Sequence, residues 1–236
     1  MLALASALTG CGAGGPSDGG RALPTADAAP VDAAGNRVGP LFLGSPGGPR
    51  MCTASIVDSP GRDLLVTAAH CAAPQGITED GLVFAPGYRN HQQPYGSWPI
   101  AKITVDPRWA PGEDEDYDVA FLTVGEVDGR RIQDVLGANQ LATGLGVGLQ
   151  VAVTGYPNEK DAPITCQSRT TSQSATQERF DCGGFTDGTS GSPWVTAKGQ
   201  LVGVIGGYEQ GGNTPQISYS VAFDDRVAEL YRQATG

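Results

Sequence analysis

Three short stretches carry the residue types that could move a proton and make a covalent bond: Thr67-Ala68-Ala69-His70-Cys71, Asp116-Tyr117-Asp118-Val119-Ala120-Phe121-Leu122 and Gly188-Thr189-Ser190-Gly191-Ser192-Pro193. A serine hydroxyl is a weak nucleophile until a neighbouring base takes its proton. The chain has two histidines that could serve, His70 and His91. His91 lies in Arg89-Asn90-His91-Gln92-Gln93-Pro94, which reads as a solvated polar loop, so His70 is the base candidate. The imidazole needs a carboxylate on its other nitrogen, to fix the tautomer and stabilise the imidazolium. Asp118 and Asp116 are the candidates. Asp116 closes the run Glu113-Asp114-Glu115-Asp116, which reads as a solvated acidic loop; a calcium site is the lesser alternative, since oxygen ligands are present without EF-hand spacing. Glycines flank Ser190, as expected where a backbone turns sharply and offers N–H groups to a developing oxyanion. The chemistry within reach is acyl transfer to a serine.

A Gly-x-Ser-Gly string alone is a weak signal in a chain with 35 glycines. All three motifs together, in the order His70, Asp118, Ser190, resemble the chymotrypsin-type (trypsin-like) serine endopeptidases. Subtilisins and α/β-hydrolases run the same residues in other orders, which excludes an esterase of the latter fold. Thr-Ala-Ala-His-Cys is similar to that family's general-base motif, and Asp118-Val119-Ala120-Phe121-Leu122 to the segment whose aspartate precedes a buried strand. The 72 residues from Asp118 to Ser190 resemble the compact bacterial members. The resemblance implies catalytic roles for His70, Asp118 and Ser190 and an oxyanion hole at the amides of Gly188 and Ser190. It also implies disulfides Cys52–Cys71 and Cys166–Cys182. A zinc site is the weaker alternative, because no short Cys-x-x-Cys knuckle is present; no metal or cofactor is expected.

By the same analogy Gly184 lies at the base of the substrate pocket, with walls from Gly206, Gly207, Tyr208 and Ser218. That floor carries no carboxylate, so an uncharged side chain is the expected occupant, although Asp181 and Asp187 are near enough in sequence to enter by a loop shift. Thr189 stands where digestive relatives place an aspartate that pairs with a freshly cut N-terminal ammonium. A hydroxyl cannot hold a buried ammonium as a carboxylate can, so competence without N-terminal cleavage is expected. The alternative to an enzyme is a non-catalytic binding module on the same fold, since fold alone does not prove activity.

The elements that must position these residues read as strands. Short runs rich in Val, Ile, Thr and Tyr alternate with turns drawn from 35 Gly and 17 Pro. The expected class is all-β: two six-stranded antiparallel Greek-key barrels and a short C-terminal helix. Barrel one is placed at about 38–125, a crossing at about 125–145, barrel two at about 146–222 and the helix at about 224–234. A hairpin, Met51–Val57 with Leu64–Ala68, should deliver His70 to its end.

Ahead of the domain, residues 12–37 are poor in large apolar side chains and read as a flexible tether. Leu8-Thr9-Gly10-Cys11, after a short apolar run, resembles a lipoprotein lipobox. That implies lipidation at Cys11 and a membrane tether; a small-residue signal with an incidental Cys11 is the alternative. The reading is therefore of a secreted protein or one anchored to the outer face of a bacterial membrane, monomeric, acting on protein or peptide substrates. A net charge of −10 argues against a nucleic-acid partner.

Overall fold

Turn residues break the sequence every several positions, and the resulting strands are short. The computed structural model describes residues 22–72 and 81–236. In the first half, β2 (Val38–Leu43), β3 (Arg50–Val57), β4 (Leu64–Thr67), β5 (Leu82–Phe84), β6 (Trp98–Val105) and β7 (Ala120–Val124) follow β1 (Asp27–Ala28). They close into a barrel in the order β2-β3-β4-β7-β6-β5, every neighbouring pair antiparallel. The jump from β4 to β7 is the Greek-key return. Leu41, Ile56, Leu65, Phe84, Trp98 and Leu122 fill its interior. One helical turn, α1 (Ala69–Ala72), caps β4.

Past α2 (Ile132–Leu136) and β8 (Gln140–Leu141), the second half supplies six longer strands: β9 (Gln150–Gly155), β10 (Ile164–Arg169), β12 (Gln177–Asp181), β13 (Pro193–Thr196), β14 (Gln200–Val204) and β15 (Ile217–Val221). Six is the number that the sequence predicts for this half, with the two-residue β11 (Thr171–Ser172) beside them. Their hydrogen bonds form two sheets, β1-β10-β9-β13-β14-β8 and β11-β12-β15, around one shared core of Val151, Val153, Phe180, Trp194 and Val202. Where β14 and β15 would complete a ladder, Val204 N–H donates to the Ser220 hydroxyl at 3.0 Å, and Gly206 N–H to Tyr219 O at 3.0 Å. A side chain substitutes for the backbone there, so the closure is barrel-like without a continuous ladder.

The final helix, α3 (Asp225–Thr235), starts at Asp224, whose carboxylate accepts from Arg226 N–H at 2.8 Å. Val227 and Leu230 pack with Val66 and Phe121 of the barrel and with Val204 and Val221 of the second half. The helix is thus a wedge across both halves.

The described part of the stretch read as a tether, residues 22–37, lies against the second half. Ala26 N–H donates to Gly183 O and Gly183 N–H to Pro24 O, both at 2.7 Å, and β1 pairs with β10. Arg89 donates to the carbonyls of Ala29 and Pro30. Hydrogen bonds make the attachment, from backbone groups and from the Arg89 guanidinium, so a count of apolar side chains could not reveal it. Cys11 and the lipobox lie outside the described residues.

Candidate active site

His70 follows β4 in α1, and Asp118 sits between a helical turn at Glu115–Tyr117 and β7. Because β4 and β7 are ladder neighbours, residues 48 apart in sequence meet. His70 Nδ1 is 2.7 Å from Asp118 Oδ2, and the backbone N–H of His70 donates to Oδ1 at 2.9 Å. Gly207 N–H gives Oδ2 a further donor at 2.8 Å. Asp118 is fully buried, and these three donors compensate for the water it has lost. With an acceptor-only carboxylate on Nδ1, that nitrogen carries the proton, which leaves Nε2 as the basic one.

Ser190 comes from the loop between β12 and β13 and lines the same cleft as His70, of about 910 Å³. Thr53 on β3 joins the loop to the barrel. Its N–H donates to Ser190 O at 2.8 Å, its hydroxyl donates to Gly188 O at 2.9 Å and accepts from Tyr156 N–H at 3.0 Å. The adjacent Cys52 is disulfide-bonded to Cys71, the neighbour of His70, so one strand ties the Ser190 loop and His70 together. Sequence reasoning passed over Thr53, an ordinary strand residue whose only signal was its place next to Cys52.

The loop itself needs glycine. Gly188 and Gly191 have φ of +93° and +80°. A Cβ on Gly188 would meet Asn158 Oδ1 at 2.4 Å, and one on Gly191 would meet Thr53 O and Thr67 Oγ1 at 2.1 Å. Within the turn, Thr189 N–H donates to Thr186 O at 3.0 Å, Gly191 N–H to Ile205 O at 2.6 Å and Ser192 N–H to Thr189 O at 3.0 Å. Among the described residues, the amides of Gly188 and Ser190 have no acceptor. Thr189 is buried, and its hydroxyl donates to Thr186 O at 2.6 Å, so that hydroxyl is satisfied within the turn.

The pocket differs from the expectation. Of the five residues named for it, Ser218 lines the cleft, with Phe185, Thr186, Ile205, Gly211, Thr214 and Pro215. Gly184 faces away: a Cβ there would point at Ala26 of the N-terminal strap, 3.4 Å off. Gly206 is turned toward Asp118, Gly207 and Tyr208 toward Gln177, and none of them lines the cleft. The strap backing the 183–184 turn, and the coil at 208–211 that follows Gly207, reassign the walls. Asp181 is held by Arg179 at 2.5 Å, away from the cleft, whereas Asp187 lines it. His91 is exposed, with Nδ1 near the Tyr88 hydroxyl at 3.3 Å.

Cys166 is bonded to Cys182, the second expected pair. Among the described residues, one group has metal-ligating atoms close enough to share an ion, Cys52, His70 and Cys71 within 4.8 Å. Its sulfurs are joined to each other and its imidazole to Asp118, so the donor set does not fit a metal.

No curated protein matches the chain. Solved structures do. A protease, Anisep, from Arthrobacter nicotinovorans is 24% identical, with 86% of this chain and 97% of that one covered and a TM-score of 0.74. A thermostable serine protease from an extremophilic microorganism is 24% identical over 86% of this chain and 99% of its own, with a TM-score of 0.73. A Glu endopeptidase is 17% identical over 90% and 97% respectively, also at 0.73. These likenesses show the fold. The family model described as "Trypsin-like peptidase domain" matches residues 52–204, well over half of the sequence and including His70, Asp118 and Ser190. The chain belongs to the trypsin-like peptidase family.

Proposed function

We propose that the protein is a serine endopeptidase that cleaves peptide bonds through an acyl-enzyme, with His70, Asp118 and Ser190 as its triad. One observation carries the reading: the His70 ring, fixed by Asp118 at 2.7 Å, shares a cleft with Ser190, whose turn leaves the Gly188 and Ser190 amides unpaired. Ser190 Oγ attacks the scissile carbonyl while its proton passes to His70 Nε2. The carbonyl oxygen becomes an oxyanion, which the two free N–H groups stabilise. Its collapse breaks the C–N bond, and the imidazolium returns the proton to the leaving amine. Water, deprotonated by the same imidazole, then releases the acid and restores the hydroxyl.

The Thr189 hydroxyl is occupied within its own turn, which supports a nucleophile loop that is competent without an N-terminal ammonium. Two disulfides support an oxidising compartment outside the cytoplasm, and a tether through Cys11 is the proposal for how the protein stays there. The test is labelling of the uncleaved chain with a fluorophosphonate. Labelling should occur at Ser190 and vanish in Ser190→Ala, with turnover of peptides falling by roughly 10⁴-fold or more. Labelling elsewhere, or only after N-terminal cleavage, would overturn the corresponding part of the proposal.

A further inference from the structure

The acidic run before Asp118 reads from sequence as solvated, yet three of its four carboxylates, those of Asp114, Glu115 and Asp116, accept from neighbours. Asp114 accepts from Asp116 N–H at 3.1 Å and caps the turn. Asp116 Oδ1 accepts from Gln177 Nε2 at 2.9 Å, and Glu115 Oε1 accepts from Glu209 N–H at 2.8 Å. Gln177, at the start of β12, is 5% exposed. Its Nε2 also donates to Glu115 O at 3.0 Å, and its Oε1 accepts from Tyr208 N–H at 3.1 Å. A single buried amide therefore joins two loops, the one that ends in Asp118 and the one that begins at Gly207.

The second loop needs such a hold. Glu209 and Gln210 have φ of 52° and 53°, left-handed values that cost a non-glycine residue energy and persist where surroundings impose them. Both residues line the cleft, followed by Gly211 and Gly212. At Gly207 the approach is so close that a Cβ would meet Gln177 Oε1 at 2.3 Å. The same residue's N–H reaches Asp118 at 2.8 Å, so wall and triad acid share one anchor.

We propose that Gln177, seconded by Glu115, is a positioning residue for extended peptide substrates: it sets the 209–212 wall of the cleft at a height fixed by the Asp118 loop. This rests on the reading of the cleft as a peptide site. A substrate small enough to occupy only the neighbourhood of Ser190 gains little from the wall, whereas a longer peptide lies along it. The role is thus distinguishable from general stabilisation.

The experiment compares the wild type with Gln177→Met, which keeps length but loses every hydrogen bond, and with Glu115→Ala and Glu115→Gln. Each is assayed on a hexapeptide amide and on a small acyl amino-acid ester with the same residue before the scissile bond, alongside hydrogen exchange of the 205–212 backbone. Gln177→Met should lose about tenfold more kcat/KM on the hexapeptide than on the ester, since a wall displaced by even ~1 Å costs up to about 100-fold. Its 207–212 amides should exchange faster. Glu115→Gln retains an acceptor for Glu209 N–H and should stay near wild type, while Glu115→Ala shows a smaller version of the split. Equal losses on both substrates, or a Glu115→Gln as impaired as Glu115→Ala, overturn the proposal. Should Gln177→Met fail to fold, the exposed Glu115 pair decides. A wild type that turns over neither substrate overturns the peptidase reading and this inference together; an active wild type with no split in the variants overturns this inference alone.

Discussion

The two halves of the molecule use the same kind of strand for different ends. The first closes into a barrel through antiparallel pairing of every neighbour, with register shifts at Leu41/Phe42 and Ile100/Lys102, and presents His70 and Asp118 from adjacent strand ends. The second divides its strands between two sheets and presents Ser190, the free amides and most of the cleft from loops. Closure leaves little backbone to move, so base and acid keep their 2.7 Å contact. The turn between β12 and β13, bent through Gly188 and Gly191 at positive φ, leaves the Gly188 and Ser190 N–H groups unpaired, and unpaired N–H groups are what a developing oxyanion needs. Both halves bury polar atoms without a partner: Ser59 Oγ and Thr104 Oγ1 in the first, Glu178 Oε2 and Trp194 Nε1 in the second.

The sharpest way to break this comparison is at the first half's acid. Asp118→Asn preserves the barrel but presents the wrong hydrogen-bonding partner to His70 Nδ1, and kcat should fall about 10⁴-fold with little change in Tm. A large loss of Tm would mean that the carboxylate holds the barrel rather than the imidazole. Glycine substitution separates the halves next. Gly191→Ala, with its Cβ at 2.1 Å from Thr53 O, should cost roughly 3 kcal/mol or more and disable fluorophosphonate labelling. Gly44→Ala in a barrel hairpin, at a similar φ of +80° but with open space around it, should cost only about 1–2 kcal/mol and leave labelling intact.

The disulfides offer a matched pair. They close loops of similar span, 19 and 16 residues, so removing either by paired Cys→Ala should cost about 3 kcal/mol in urea unfolding. Only loss of Cys52–Cys71, beside His70 and Thr53, should also lower kcat/KM of the folded enzyme; equal kinetic damage from both would dissolve the distinction.

The smallest effect is electrostatic. Burial pushes the Glu178 carboxyl from 4.5 up to about 7, against a hydrogen bond from Thr170 that lowers it. Between those values the folded chain binds a proton that the unfolded chain does not, so stability falls as pH rises through that window. Glu178→Gln should flatten the decline and raise Tm at pH 8 by about 2–4 °C; a decline that survives the substitution would assign it to other groups.

Much of this was legible before any coordinate. Periodicity and turn chemistry located the six principal strands of each half, because an alternating apolar face and a glycine-bearing turn are local properties. The final helix falls where the sequence places it, at about 224–234, with Asp224 at its cap and Val227 and Leu230 on its buried face. Other features were hidden because they consist of main-chain contacts between distant segments. The strap at 22–37 has few apolar side chains and is held by backbone carbonyls and amides and by the Arg89 guanidinium. The inward direction expected of Gly184 failed because the strap backs it. The carboxylates of Glu115 and Asp116 looked solvated because nothing local announces that Gln177 and Glu209 will arrive as donors.

By itself, then, the sequence determined the all-β class and singled out His70, Asp118 and Ser190 as candidates, since residue type and local spacing suffice for these, and the family resemblance supplied the two cysteine pairs that the structure joins. Only the tertiary structure decided which amides stay free, which residues line the cleft and what Thr53 and Gln177 hold together. Hydrogen-bond pairing is settled by distance in space, and for residues 60 to 140 positions apart that distance is a property of the whole fold.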